Sequence, residues 1–150
     1  MNLTLAFLQN WTESRSRFSN QLKHIKEADL TKKLGDSPNS AGFLIRHMAD
    51  VELLFAKNVF GEKSLKVSAK TVMAGKDTGE WTRLQELLDY QQSAFESLRA
   101  VIEKQSDADW ATEVSTKEFG NKTKAEALGR ITSHTAYHAG QLAIILKYGR

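Results

Sequence analysis

TKAEALGRITSHTAYHAGQLAIILKY, residues 123–148 of a 150-residue chain, is the stretch whose reading decides the fold. Leu128, Ile131, His134, His138, Leu142 and Ile145 recur at steps of three and four, the spacing that puts side chains on one face of an α-helix. Thr123 opens the run with Glu126 three residues on, a pairing in which each side chain covers a free backbone N–H of the first turn. A helix is therefore expected down to Tyr148.

The same period extends through the rest of the chain. Leu3, Leu8, Trp11, Phe18, Leu22 and Ile25 predict a first helix over residues 3–28, with Asn10, Arg15, Asn20 and Lys23 on its polar side. Gly35-Asp36-Ser37-Pro38 reads as a turn, after which Asn39 or Ser40 caps a second helix striped by Phe43, Leu44, His47, Met48, Val51, Leu54 and Phe55 and stopped near Gly61. Residues 61–79 hold no sustained period and predict a long, partly ordered crossover. Thr78 or Glu80 starts a third helix, striped by Trp81, Leu84, Leu87, Leu88, Phe95, Leu98, Val101 and Ile102. Residues 106–121 form a second irregular connection, with Trp110 and Phe119 folded back on the helices and Gly120-Asn121 as a turn. With one proline in the chain, the expectation is an all-α, single-domain four-helix bundle over residues 1–150, with a long crossover between its second and third helices.

Composition narrows the function classes. No cysteine is present, which removes disulfides, thiolate metal ligands and any enzyme thiol nucleophile. No run of about 18 uncharged apolar residues exists, and residues 1–10 lack the basic and apolar regions of a secretory leader, so the expected location is the cytoplasm and no membrane partner is expected. Lys and Arg exceed Asp and Glu by 21 to 18, but the cations are spread along the chain, which reads as a solvated surface and not a nucleic-acid face.

Three of the four histidines fall on stripes otherwise assigned to the core: His47 on the second helix, and His134 with His138 on the fourth. A step of four places His134 and His138 one turn apart on one face, where two imidazoles can share a metal ion. A third histidine from a facing helix would complete a three-nitrogen set that suits zinc, nickel, iron(II) or copper and leaves positions open for water or substrate. The alternative is three buried histidines bonded to neighbouring carbonyls or hydroxyls. The residue after His134 is Thr135, so the zinc-protease helix with a glutamate beside its first histidine is excluded. His24 lies off its stripe and reads as surface.

Two strings, SAGFLIRHMADVE at residues 40–52 and LGRITSHTAYHAGQL at residues 128–142, resemble the DinB/YfiT-like superfamily. The shared pattern is one histidine in the second helix, then His-x-x-x-His followed by Gly-Gln in the last. The resemblance implies a four-helix bundle and a divalent metal, nickel or zinc in most members with iron or manganese also in range, held by His47, His134 and His138. It also implies a homodimer acting on a small-molecule substrate. Characterised members are thiol S-transferases using bacillithiol, mycothiol or glutathione, maleylpyruvate isomerases among them, while others are assigned by likeness alone as metal-dependent hydrolases. Ala139 stands where many members have arginine, which weakens the thiol-transferase expectation. Gln141 matches the family glutamine and is a candidate to orient a ligand, water or substrate, or else bonds backbone. Glu52, about 140° around the helix from His47, is expected at a surface or interface, and Tyr137 is expected to pack.

Two function classes follow. One is a metal-dependent transferase or hydrolase in which the ion activates water or a thiol carried by a small molecule. The other is a non-catalytic, metal-binding, stress-related dimer that works by association.

Overall fold

The computed structural model describes residues 2–150. Helix α1 spans Leu3–Leu22, α2 Ala41–Asn58, α3 Lys70–Ala74, α4 Leu84–Glu103 and α5 Lys124–Tyr148; strands β1 Glu113–Thr116 and β2 Gly120–Thr123 precede α5. The chain is thus mostly helical with one small antiparallel sheet, and the all-α expectation is corrected by this hairpin. Its four-residue strands, with Glu113 opposite Thr123 and Thr116 opposite Gly120, are too short to leave a period in the sequence. The chain reverses at residues 117–119, and Gly120 closes the reversal at φ +71°. Asn121 pairs with Ser115 in the ladder and is no turn residue.

Helix α2 is the central element. Thirteen of its 18 residues are buried, because it packs on both α4 and α5. Ser40 caps it by accepting a hydrogen bond from the Phe43 N–H at 3.1 Å. In its first turn the backbone of Trp81 approaches so closely that a Cβ on Gly42 would lie 1.9 Å from the Trp81 carbonyl oxygen. That docking explains why the next long helix begins at Leu84 and not at Thr78 or Glu80. Trp81 is buried as expected, but on the extended lead-in that lies over α2.

Helix α1 stops at Leu22, short of residue 28. The Asp29 carboxylate accepts the Lys26 N–H at 2.9 Å and starts a separate 3-10 turn over Glu27–Asp29, which redirects the chain while keeping Ile25 and Leu30 buried. Arg15, expected on the polar side, is buried with Trp11 and Phe18 on either side of it along the helix. At the other end of the chain, Thr123 and Glu126 make the expected reciprocal cap: Thr123 N–H donates to Glu126 Oε2 at 2.8 Å and Glu126 N–H to Thr123 Oγ1 at 3.2 Å.

The apolar interior forms two main clusters, one around Phe18, Leu44, Met48 and Leu142, the other around Trp11, Phe55, Leu98 and Ile131. Trp110 closes the second, donating its indole N–H to Thr4 Oγ1 at 2.8 Å. Between the clusters sits a buried ion pair. Arg15 Nε and Nη2 donate to the two oxygens of Glu52 at 2.7 and 3.0 Å, and Nη2 also reaches Gln91 Oε1 at 3.0 Å. Glu52 is therefore wholly buried, correcting its expected surface position, because the helix face it occupies meets Arg15 of α1, whose guanidinium Gln91 of α4 also holds.

Candidate metal centre

His47, His134 and His138 converge, as their places on α2 and α5 require once these helices pack. One ligating nitrogen from each lies within 4.8 Å of the other two, so the group could hold a metal ion. His47 Nε2 and His134 Nε2 face each other at 3.2 Å, and the ring centroids of His134 and His138 are 4.5 Å apart. His47 also stacks flat on Phe43 one turn earlier.

Protein groups fix two of the three tautomers. Thr71 Oγ1 has a single proton, which it donates at 2.7 Å to Asp50 Oδ2, a carboxylate that can only accept. Towards His47 Nδ1, 3.2 Å away, the hydroxyl must therefore accept, so His47 carries its proton on Nδ1 and leaves Nε2 bare. Asp50 is itself held by Thr71 N–H at 3.0 Å, by Arg46 Nε at 2.8 Å and by the Tyr90 hydroxyl at 2.7 Å. Burial and the Asp50 charge push the Tyr90 phenol up, so it stays a donor. His138 Nδ1 donates to Gln141 Oε1 at 2.7 Å, which again leaves Nε2 as the free acceptor. His134 has no such acceptor, its Nδ1 being buried without a partner.

Burial keeps all three rings neutral near pH 7. His47 is lowered to about 4, chiefly by burial and then by His138. Burial, with repulsion from His138, His47 and Arg130, takes His134 down to about 3. His138 is also lowered by burial, against an opposing pull from its bond to Gln141. His47 and His138, neutral with bare Nε2 atoms and tied Nδ1–H groups, are donors of the kind zinc and nickel take, and His134 adds a third neutral imidazole whose Nδ1 has no partner. Two nitrogens at tetrahedral positions around zinc stand about 3.3 Å apart, close to the His47–His134 spacing. The residues present fit a divalent cation.

An open cleft of about 900 Å³ reaches His47 and His134, walled by Val51, Leu54 and Phe55 of α2 and by the hairpin tip at residues 115–119. Gln141 stands where a ligand-orienting residue was expected. Tyr137 is exposed and meets His138 edge-on at 5.0 Å between centroids, instead of packing inward. His24 is exposed and apart from the group. The sequence reading missed Thr71 and Asp50. Asp50 could have been found, since it lies three residues from His47 and so on a neighbouring face, whereas Thr71 sits in the connection between α2 and α4 with no local signal.

This is a helical protein with a three-histidine group able to hold a metal, open to a cleft. It belongs to the DinB superfamily, whose family model matches residues 10–142. Among solved structures it is similar to a mutant of the mycothiol-dependent maleylpyruvate isomerase, with a TM-score of 0.70 at 17% identity over 93% of this chain. The chain spans 60% of the length of that enzyme, and the likeness is one of fold. No curated protein matches the sequence.

Proposed function

We propose that this chain is a metal-dependent enzyme in which His47, His134 and His138 hold one divalent cation, zinc or nickel first, with iron or manganese next. The observation that carries the reading is the orientation of His47 and His138: each Nδ1 proton is engaged by an acceptor, Thr71 or Gln141, and each Nε2 is left for the ion. Three protein ligands leave coordination positions open, as catalytic sites do. When bound, such an ion supplies Lewis acidity to a substrate or cosubstrate in those positions.

The chain's own groups do the rest. Thr71 and Gln141 keep the Nδ1 protons in place and the rings oriented. The apolar walls of the cleft exclude water from a small molecule lying against His47 and His134. No cysteine is present, so a transferred thiol sulfur must come from a small cosubstrate; the two reactions that suit the site are thiol S-transfer and hydrolysis. Membership of the DinB superfamily supports a four-helix bundle formed by α1, α2, α4 and α5, with α3 on the crossover. It also supports a homodimer acting in the cytoplasm on a small molecule, without nucleic-acid or membrane partners. No helix of the described residues is long and apolar enough to cross a membrane.

The test is metal content followed by turnover. Untagged protein, stripped and then supplied with zinc, nickel, manganese or iron, should retain about one ion per chain by elemental analysis, and His138→Ala should lose it. Loaded protein should turn over a member of an electrophile-plus-thiol panel or an ester panel. A chain that retains no metal refutes the reading, and full metal with no turnover on either panel favours the non-catalytic, associating dimer.

A further inference from the structure

The cleft that reaches His47 and His134 carries more charge than its site chemistry requires. Lys57 at the end of α2, Lys63 just beyond it and Lys117 at the hairpin tip all line it. Among the described residues, no carboxylate lies within ion-pair distance of any of the three. The one acidic lining residue, Glu118, is already engaged, its carboxylate accepting from Arg130 Nε at 2.9 Å. The whole chain has a net charge of only +3, so three uncompensated lysines around one opening form a local concentration and do not reflect a generally basic surface. Apart from the uncharged polar side chains of Asn58, Ser115 and Thr116, the rest of the wall away from the histidines is apolar: Val51, Leu54, Phe55, Val59, Val72 and Phe119. Low-dielectric walls with one sign of charge at the opening focus the field on anything that enters.

We propose that the cleft binds a small organic anion with an apolar body, its acidic group or groups met by Lys57, Lys63 and Lys117 and its body lying on the apolar wall towards His47 and His134. The inference rests on the proposed metal site in one respect: it takes the anion to be that site's substrate or cosubstrate. A volume of about 900 Å³ is at the upper end for small-molecule pockets, enough for a ligand larger than a simple carboxylate such as acetate.

Two fluorescent probes of similar shape test this, 8-anilinonaphthalene-1-sulfonate as the anion and N-phenyl-1-naphthylamine as its uncharged counterpart. They are titrated against wild type, the cleft variant Lys57→Gln/Lys63→Gln/Lys117→Gln, and a control variant with the same charge change elsewhere, Arg17→Gln/Lys23→Gln/Lys147→Gln. The cleft variant should bind the sulfonate about tenfold or more weakly while the control stays within about twofold, and the uncharged probe should not distinguish the three proteins. Raising salt from about 50 to about 500 mM should weaken sulfonate binding to wild type and narrow the gap. Methyl NMR shifts on adding the sulfonate should fall on Val51, Leu54, Val59 and Val72. Equal losses in both variants, no loss in either, or shifts confined to methyls outside the cleft would overturn the proposal. Zinc content is measured on the same samples. Normal zinc with an indifferent cleft variant refutes the anion site alone, whereas selective sulfonate binding without zinc refutes the metal site and leaves an anion-binding cleft.

Discussion

Replacing Thr71 by valine removes one hydroxyl and keeps the branched shape. The residue is fully buried, so no solvent can take the hydroxyl's place. Two bonds are lost: the 2.7 Å donation to Asp50 Oδ2 and the acceptor for His47 Nδ1–H at 3.2 Å. Asp50 is left the better provided, because Thr71 N–H, Arg46 and Tyr90 still donate to it. His47 is left with a buried N–H and no acceptor, a state that costs about 1–3 kcal/mol. It escapes that cost by moving its proton to Nε2, the nitrogen the ion needs. Metal affinity should therefore fall about 10- to 100-fold, the usual loss when a ligand's outer partner is removed. Competition against a zinc chelator of known affinity reads this directly, and nitrogen chemical shifts of His47 in the metal-free protein report the tautomer. Thr71→Ser restores the hydroxyl and should recover most of the affinity. Wild-type zinc affinity in the valine variant, with His47 still protonated on Nδ1, would refute the proton assignment.

Four further outcomes follow from the geometry. Zinc affinity should resist acid: three imidazoles of ordinary pKa would together lose about a thousandfold at pH 5.5, but with His47 at about 4 and His134 at about 3 only His138 can compete, so chelator competition should show at most about a tenfold loss between pH 8 and 5.5. The metal-free fold has the matching dependence. The folded values lie below the unfolded value of 6.5, so the unfolded chain takes up protons first; stability is intact above that value and is lost as pH falls from 6.5 towards about 4, which urea titrations across pH will show. Glu52→Gln strands the Arg15 guanidinium in the core and should cost about 3–5 kcal/mol, lowering the melting temperature by about 10 °C or more without changing zinc content, while Arg15→Met/Glu52→Leu recovers most of the loss. Gly42→Ala forces a Cβ against the Trp81 carbonyl, where backbone stands on both sides, and should lower urea stability by about 1–3 kcal/mol.

What could be read from the sequence is what local rules govern. The α5 cap depends on residues three apart, and the four-residue step of His134 and His138 follows from helix geometry alone, so both were legible before any packing was known. His47 was legible as a partner because its stripe points inward. What stayed hidden depends on distant partners. Leu22 ends α1 through a turn set up by Asp29, the start of α4 is set by Trp81 lying on Gly42, and Glu52 is buried by an arginine 37 residues earlier. Thr71 was hidden for the same reason, since its role comes from Asp50, 21 residues away, and from a short helix with no repeating pattern around it.

The polar groups of α2 show how one helix serves two purposes without confusing them. At 100° per residue, Asp50 lies about 60° from His47 and Glu52 about 140° from it. Asp50 is near enough to hold Thr71, and with it the α3 segment, beside the histidine, so the connection between α2 and α4 becomes part of the site. Glu52 is turned far enough away to meet α1, where Arg15 satisfies both its oxygens and is itself held by Gln91 of α4. Among the hydrogen bonds of the described residues, none joins the Arg15–Glu52–Gln91 group to the Asp50–Thr71–His47 group. Disruption of the first should therefore appear as lost stability with metal binding kept, and disruption of the second as lost metal affinity in a protein that still folds. Three polar residues within six positions of a helix would be costly if all competed for one face; distributed in this way, each finds its own partners, and a helix this deeply buried can carry both an internal ion pair and one ligand of a metal centre.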